Sequence, residues 1–230
     1  MKVYHLILDW SEAWAPLIPL IIFLVVRPNY RWAKPVFIYL ILAFIFSTIL
    51  DIILAQYDLG LNKWFDRNFK WWPRDQGDMK NTIFYNFISI SRLLLFAWFF
   101  NYFGGVFVKL NKFVPLLFIL FTVINFIFFE KIEDFSSRLI TLETGSLLFY
   151  CILYFFRVLR DDRPDDEAAS PAAFRVVIGL SIYVALNFFI FLLYKQLTSS
   201  FVDLAIQIWP IHNFSNIIFC LLIALAFRKK

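Results

Sequence analysis

Four titratable residues interrupt stretches otherwise apolar enough to cross a bilayer: Asp51, Arg92, Glu143 and His212. A fixed charge at the centre of a spanning helix costs about 2.5–3.5 kcal/mol on insertion scales. Such groups are therefore expected to be paired, or to face a wet cavity. Arg92 with Asp51 or Glu143 is the obvious pair. Asn86 and Ser89 share a broad face with Arg92 at steps of three. His212 and Asn216, four apart, share a face of the last apolar stretch, near Trp209 and Pro210. Asn187 stands in the middle of the stretch before it. The chemistry open to this set is ion pairing, proton holding and polar-ligand binding. Asp51, Asn86, Arg92, Glu143, Asn187, Trp209, His212 and Asn216 are the candidate ligand-binding residues. An alternative remains open, in which the same groups only hold helices together.

Other chemistry finds little support. The chain has two histidines, His5 and His212, too few for a His-rich zinc site. The last apolar stretch has no lysine before Lys229, as a retinal-type receptor would need. Phosphate-binding loops, nucleophile elbows and HExxH are absent from the sequence, as is an obvious internal repeat of the transporter kind. No catalytic residue, metal or cofactor is expected. Cys151 and Cys220 lie within apolar segments and read as free core residues. Pro210 is expected to kink its helix.

The elements that must position these groups follow from composition. The 230 residues are 61% hydrophobic, 21% aromatic and 17% charged, with a mean hydropathy of +0.72. That pattern belongs to an all-α polytopic membrane protein. Seven spans are expected, at about 13–26, 35–56, 82–103, 114–129, 138–158, 174–194 and 204–227, forming one domain. Phe65, Phe69 and Trp72 recur at helical spacing, so an interfacial amphipathic helix is expected over 61–72.

Orientation follows from the loop cations. Arg27, Arg31, Lys34, Lys109, Lys112, Arg157, Arg160, Arg163, Arg175, Arg228, Lys229 and Lys230 fall on one side of the seven-span arrangement. Lys2, Lys131, Arg138 and Lys195 are the cations of the other side's short segments. The positive-inside rule puts the first group in the cytoplasm, the N-terminus outside and the C-terminus inside. Trp10, Trp14, Trp64, Trp71, Trp72 and Trp209 would form an outer aromatic belt, with Trp32 and Trp98 near the inner face. The net charge of +5 fits loop cations rather than nucleic-acid binding, because no long basic run occurs.

From Arg138 on, the runs SSRLITLETGSLLFYCILYFFRVL, GLSIYVALNFFIFLLY and IWPIHNFSNIIFCLLIALAFRKK resemble a group of small seven-helix membrane proteins of Bacteroidota. The positions carrying this resemblance are Leu142-Glu143, Tyr183 with Asn187, and Trp209, His212 and Asn216; Asn86 resembles part of an Ile-x-Tyr-Asn run. The group in turn resembles stand-alone versions of the seven-helix input domains of bacterial signalling kinases. The resemblance implies an inner-membrane protein surrounded by membrane lipid. It would sense a small molecule, an ion or a proton from outside and signal to a separate cytoplasmic protein. FSTILDIIL resembles the Ser-x₂-Gly-Asp element of the lysoplasmalogenase family, with Leu50 in place of the Gly. That likeness implies a lipid hydrolase with Asp51 or Glu143 as base. A small proton-coupled transporter using Glu143 and His212 is the third reading.

Overall fold

The computed structural model describes residues 8, 11–48, 74–75, 78–79, 82–160 and 170–228. Nine helices are described: α1 (Ser11–Trp14), α2 (Leu17–Val26), α3 (Ala33–Thr48), α4 (Thr82–Asn101), α5 (Val106–Phe128), α6 (Ser137–Arg160), α7 (Pro171–Leu192), α8 (Tyr194–Ser200) and α9 (Val202–Phe227). A two-residue antiparallel pairing, β1 (Arg74–Asp75) with β2 (Asp78–Met79), precedes α4. Residue 51, residues 49–56 of the second expected span and the expected amphipathic helix at 61–72 lie outside the described residues.

Helices α4, α5, α6, α7 and α9 are each long and apolar enough to cross a membrane, and the α1–α2 stretch and α3 are shorter apolar helices. The chain is thus a helical bundle of membrane-protein type. Helix α9 packs along α7 and α2, α7 along α6, α6 along α4, and α4 along α3. Together they close a ring, and α5 leans on its outside against α4 and α6. The most apolar window of α9 is 56% buried and that of α5 only 17%, so α9 is central and α5 peripheral. Gly179 permits the close α7–α9 approach. A Cβ there would stand 3.1 Å from Leu222 Cβ and 3.2 Å from the Phe219 ring.

The two ends of the bundle differ in chemistry. Where α3, α5 and α7 begin, the core is aromatic. Phe100 stacks on Tyr150 at 5.1 Å and on Phe107 at 5.4 Å, and Trp32 meets Phe99 edge-on at 5.7 Å. Trp32 was expected at the interface, yet it is fully buried, also stacked on Tyr30 and Phe227. Asn111 braces α5 into this core. It donates to Ala97 O at 2.7 Å and accepts from the Tyr150 hydroxyl at 2.6 Å. Cys151 and Cys220 are free and buried. The opposite end, where α4, α6 and α9 begin, holds the buried polar side chains treated below.

Several boundaries differ from the sequence expectation. Helix α5 starts at Val106 rather than at 114, taking in Lys109 and Lys112 on its exposed face. Two lysines look like loop in a hydropathy profile, but long aliphatic stems let them ride a helix end. The break before α5 is made by Gly104 and Gly105, at φ +70° and +59°, a region that glycine enters without steric cost. Helix α7 starts at Pro171 because Ser170 caps it, its hydroxyl accepting from Ala173 N at 3.2 Å. The connector expected at 195–203 is mostly helical, since α8 runs from Tyr194 to Ser200. Helix α9 is assigned without a break through Pro210.

Candidate functional site

Arg92 and Glu143 form the centre of the polar end. Nothing of Glu143 is exposed, and Arg92 is 6% exposed. Arg92 Nε donates to Glu143 Oε1 at 2.5 Å and Nη2 to Oε2 at 2.7 Å, the two-pronged geometry that suits guanidinium and carboxylate. Ser89, one turn before Arg92, donates its hydroxyl to Oε2 at 2.6 Å. The third prong, Arg92 Nη1, donates to the Tyr183 hydroxyl at 2.6 Å. Helices α4, α6 and α7 are thereby tied at one depth. Of the two partners that the sequence leaves open for Arg92, Glu143 is paired with it, and Asp51 lies outside the described residues.

A second pair lies beside it. His212 Nε2 stands 2.7 Å from Glu12 Oε1, joining α9 to α1 across 200 positions. His212 Nδ1 bonds Asn187 Oδ1. The orientation of that amide follows from its other contacts, since Asn187 Nδ2 donates to Tyr183 O at 2.7 Å and to Ser215 Oγ at 3.1 Å. The Ser215 hydroxyl donates onward to His212 O at 2.7 Å. Both ring nitrogens of His212 therefore face oxygens that accept. The Glu12–His212 contact needs a proton between its two atoms, carried either on the imidazole or on the carboxyl. Tyr183 links the two pairs, its hydroxyl accepting from Arg92 and its carbonyl from Asn187. A continuous network thus runs from α6 through α4, α7 and α9 to α1.

This network walls a cavity of about 250 Å³ at the polar end of the bundle. Glu12, Tyr39, Arg92, Tyr183, His212 and Asn216 are among its polar lining residues, with Ser47, Thr82, Tyr85, Ser89, Tyr194 and Trp209, and Ala43, Phe135 and Phe191 form part of its apolar wall. Trp209, Phe191 and Tyr183 pack around His212 at ring separations of 5.1, 5.7 and 6.0 Å.

The sequence-predicted residues separate into groups. Arg92, Trp209, His212 and Asn216 line the cavity. Glu143 and Asn187 stand one bond behind it, holding Arg92 and His212. Asn86 sits away from it, fastening the turn between α5 and α6. Its Nδ2 donates to Ile132 O at 3.1 Å and Asp134 O at 2.9 Å, and its Oδ1 accepts from Ser136 N at 3.2 Å. Asp51 lies outside the described residues. Glu12, Tyr39 and Ser47 were not anticipated as wall residues, nor Ser89 and Tyr183 as partners. Tyr183 carried a signal, being one turn from Asn187 and so on the same face. Glu12 carried none, because its partner is remote in sequence. Among the described residues no group of three or more His, Cys, Asp and Glu side chains is placed to hold a metal ion.

The turn that Asn86 fastens contains a third charged cluster. Glu130 Oε2 accepts from Ser136 Oγ at 2.5 Å and Asn125 Nδ2 at 3.0 Å; Oε1 accepts from Lys195 Nζ at 2.7 Å, with Arg138 Nε at 3.8 Å. Partial burial pushes the Glu130 carboxyl upward, but the donors of Asn125, Lys195 and Ser136 outweigh it and hold the group below its ordinary value of 4.5. A carboxylate lowered in the folded state stabilises above its unfolded value and stops doing so as pH falls through the folded one. Thermal stability of the wild type is therefore expected to fall on acidification from about 4.5 downward. Glu130→Gln should remove that part of the acid response, as melting curves in detergent at stepped pH would show. An equal acid response in the variant would assign it to other groups.

Five helices long and apolar enough to cross a membrane, four of which carry a buried, paired polar network, define a helical membrane protein with a polar cavity toward one end. Searches of protein-family models, curated proteins and solved structures find nothing that this chain matches.

Proposed function

We propose that the chain is a receptor-like integral protein of the bacterial inner membrane that takes a small ligand into the cavity at the polar end. In this reading seven spans put the N-terminus and the cavity outside and the C-terminus in the cytoplasm, with output passing to a separate cytoplasmic protein. The carrying observation is the cavity of about 250 Å³ inside an apolar bundle, walled by Arg92, His212, Glu12, Tyr39 and Tyr183. Purely adhesive polar groups would close on one another and leave no such space. Loop-cation asymmetry supports the orientation, and the likeness to small seven-helix proteins of Bacteroidota supports the class at the level of fold alone.

The charges restrict the ligand. Arg92 is compensated by Glu143, and Glu12 by His212 with the proton they share. A ligand with net charge would leave that charge buried without a partner, at a cost of several kcal/mol. An uncharged or zwitterionic molecule rich in hydrogen-bonding groups fits better. Signal transfer requires that it favour one arrangement of the network over another, and the link from α1 to α9 is the element that such a ligand would strain or release. A hydrolase with Glu143 as base and the transporter reading draw less support, since both Glu143 oxygens are engaged and the group stands behind Arg92.

Ala43→Phe tests this reading. Ala43 lines the cavity without joining the network, so the larger ring fills the space and leaves the ion pairs intact. Mass spectrometry of small molecules released from purified protein, and thermal shifts against a library of neutral and zwitterionic solutes, should show a ligand for the wild type and none for the variant. Equal behaviour of the two proteins, both folded, would withdraw the receptor reading.

A further inference from the structure

A second recess lies on the flank of the bundle. Helices α5 and α7 stand apart there, and α6 forms the floor. Ser137, Thr141 and Gly145 recur every four residues along that floor, with Ser146 adjoining. The crevice has a volume of about 740 Å³. Its walls are apolar, with Val114 and Phe121 on one side and Phe188 and Leu192 on the other. Gly145 keeps the floor low, since a Cβ there would meet the Phe188 ring at 3.1 Å.

Two further observations say what covers this recess. It runs along α6 from Ser137 to Phe149. At a rise of about 1.5 Å per residue that is about 18 Å, a little over half of the ~30 Å hydrocarbon layer. The recess is thus as deep as the acyl region of one leaflet. Its polar end carries Arg138 and Lys195, whose side chains are 51% and 62% exposed. Both stand around one oxygen of the Glu130 carboxylate. In this cluster two cations face one carboxylate, which leaves guanidinium and ammonium donors to spare.

We propose that this crevice is a binding site for a single anionic phospholipid of the surrounding leaflet. Its acyl chain lies along Thr141, Gly145 and Phe188, and its phosphate is held by Arg138 and Lys195. An apolar trough opening sideways into lipid fills with an acyl chain. Guanidinium and ammonium together select phosphate, through paired hydrogen bonds and a point charge. The site rests on the membrane reading of the fold and not on a ligand in the central cavity. Such a lipid would join α6, α7 and the turn after α5 that Glu130 and Asn86 organise.

The test uses the full chain in nanodiscs of equal parts phosphatidylglycerol and phosphatidylcholine, extracted into detergent for native mass spectrometry. The wild type should keep one phosphatidylglycerol in preference to phosphatidylcholine. Arg138→Gln with Lys195→Gln should remove that preference, weakening phosphatidylglycerol retention at low salt by about tenfold or more, given the attraction that each basic residue adds near a lipid surface. Ser146→Phe should displace either lipid with both cations still in place, and Ser146→Leu serves if the larger ring prevents folding. Ala43→Phe should keep the lipid, so this site and the central cavity can fail separately. Equal retention of the two lipids by the wild type, or retention unchanged in Ser146→Phe and Ser146→Leu, overturns the proposal. So does a fall from dimer to monomer in those variants, which would make the crevice an interface between copies.

Discussion

Glu143→Ala should be the most damaging single substitution in this chain, costing about 3–5 kcal/mol of stability. The carboxylate accepts three hydrogen bonds, from Arg92 Nε and Nη2 and from Ser89. Its removal leaves a guanidinium buried between α4, α6 and α7, still bonded to the Tyr183 hydroxyl but without the carboxylate that faced it. Lipid offers no water to take over, and the cost of an uncompensated charge at that depth is not recovered elsewhere. The expected observation is poor recovery of monodisperse protein, with a lowered melting midpoint in what is recovered. Removing both charges should behave differently. Arg92→Met with Glu143→Leu replaces the pair by apolar groups of similar length, a change that is often neutral or stabilising in soluble proteins. The double variant should therefore regain much of the lost stability. It would still lack the guanidinium that faces the cavity, so ligand capture should stay lost. Stability without binding would separate the adhesive from the recognising role of Arg92. A single variant as stable as the wild type would mean that water reaches Arg92 and that the pair holds nothing together.

That Arg92 stands out in the sequence, while the choice between Asp51 and Glu143 as its partner stays open there, has a simple physical basis. A charge in an apolar run is visible because insertion penalises it. Which charge meets it depends on the order of helices around the ring, and that order is set by side-chain fit between helices that hydropathy does not see. The long apolar helices were legible for the same reason as the charges. Their ends were less so, since Lys109 and Lys112 resemble a loop until Gly104 and Gly105 are recognised as the break. Asn86 shares a face with Arg92, but it lies six residues away along α4, about 9 Å at helical rise. It therefore serves the turn before α6 and not the cavity. Trp32 shows the limit of the aromatic-belt argument, because a tryptophan near a helix end is equally able to point inward. Glu12 shows the limit of local reading altogether. Its role as the acid facing His212 exists only once α1 has been laid against α9.

The Glu12–His212 contact carries the second large effect. His212→Ala should cost about 3 kcal/mol, since it takes the imidazole from the Glu12 carboxyl group and leaves the buried Asn187 side-chain oxygen without its donor. Asn187 cannot turn its amide to compensate, because its nitrogen already serves Tyr183 O and Ser215 Oγ. Glu12→Gln should be much milder. A glutamine at 12 can donate its own N–H to the neutral imidazole, so the contact survives without the shared proton. Glu12→Ala should fall between these two, as it opens the cavity wall but leaves the imidazole beside space that water can enter. Among the described residues short α1 packs mainly on α3 and α9 and joins α2, so the loss should be local as well as global. Backbone hydrogen exchange at 11–14 should rise sharply in His212→Ala and Glu12→Ala and little in Glu12→Gln. The order of the three variants is the informative quantity. If Glu12→Gln released α1 as fully as Glu12→Ala, the contact would depend on charge rather than on a hydrogen bond. Charged binding partners would then return to consideration for the cavity. If none of the three moved α1, the contact would be incidental, and the network that joins five helices would end at Asn187.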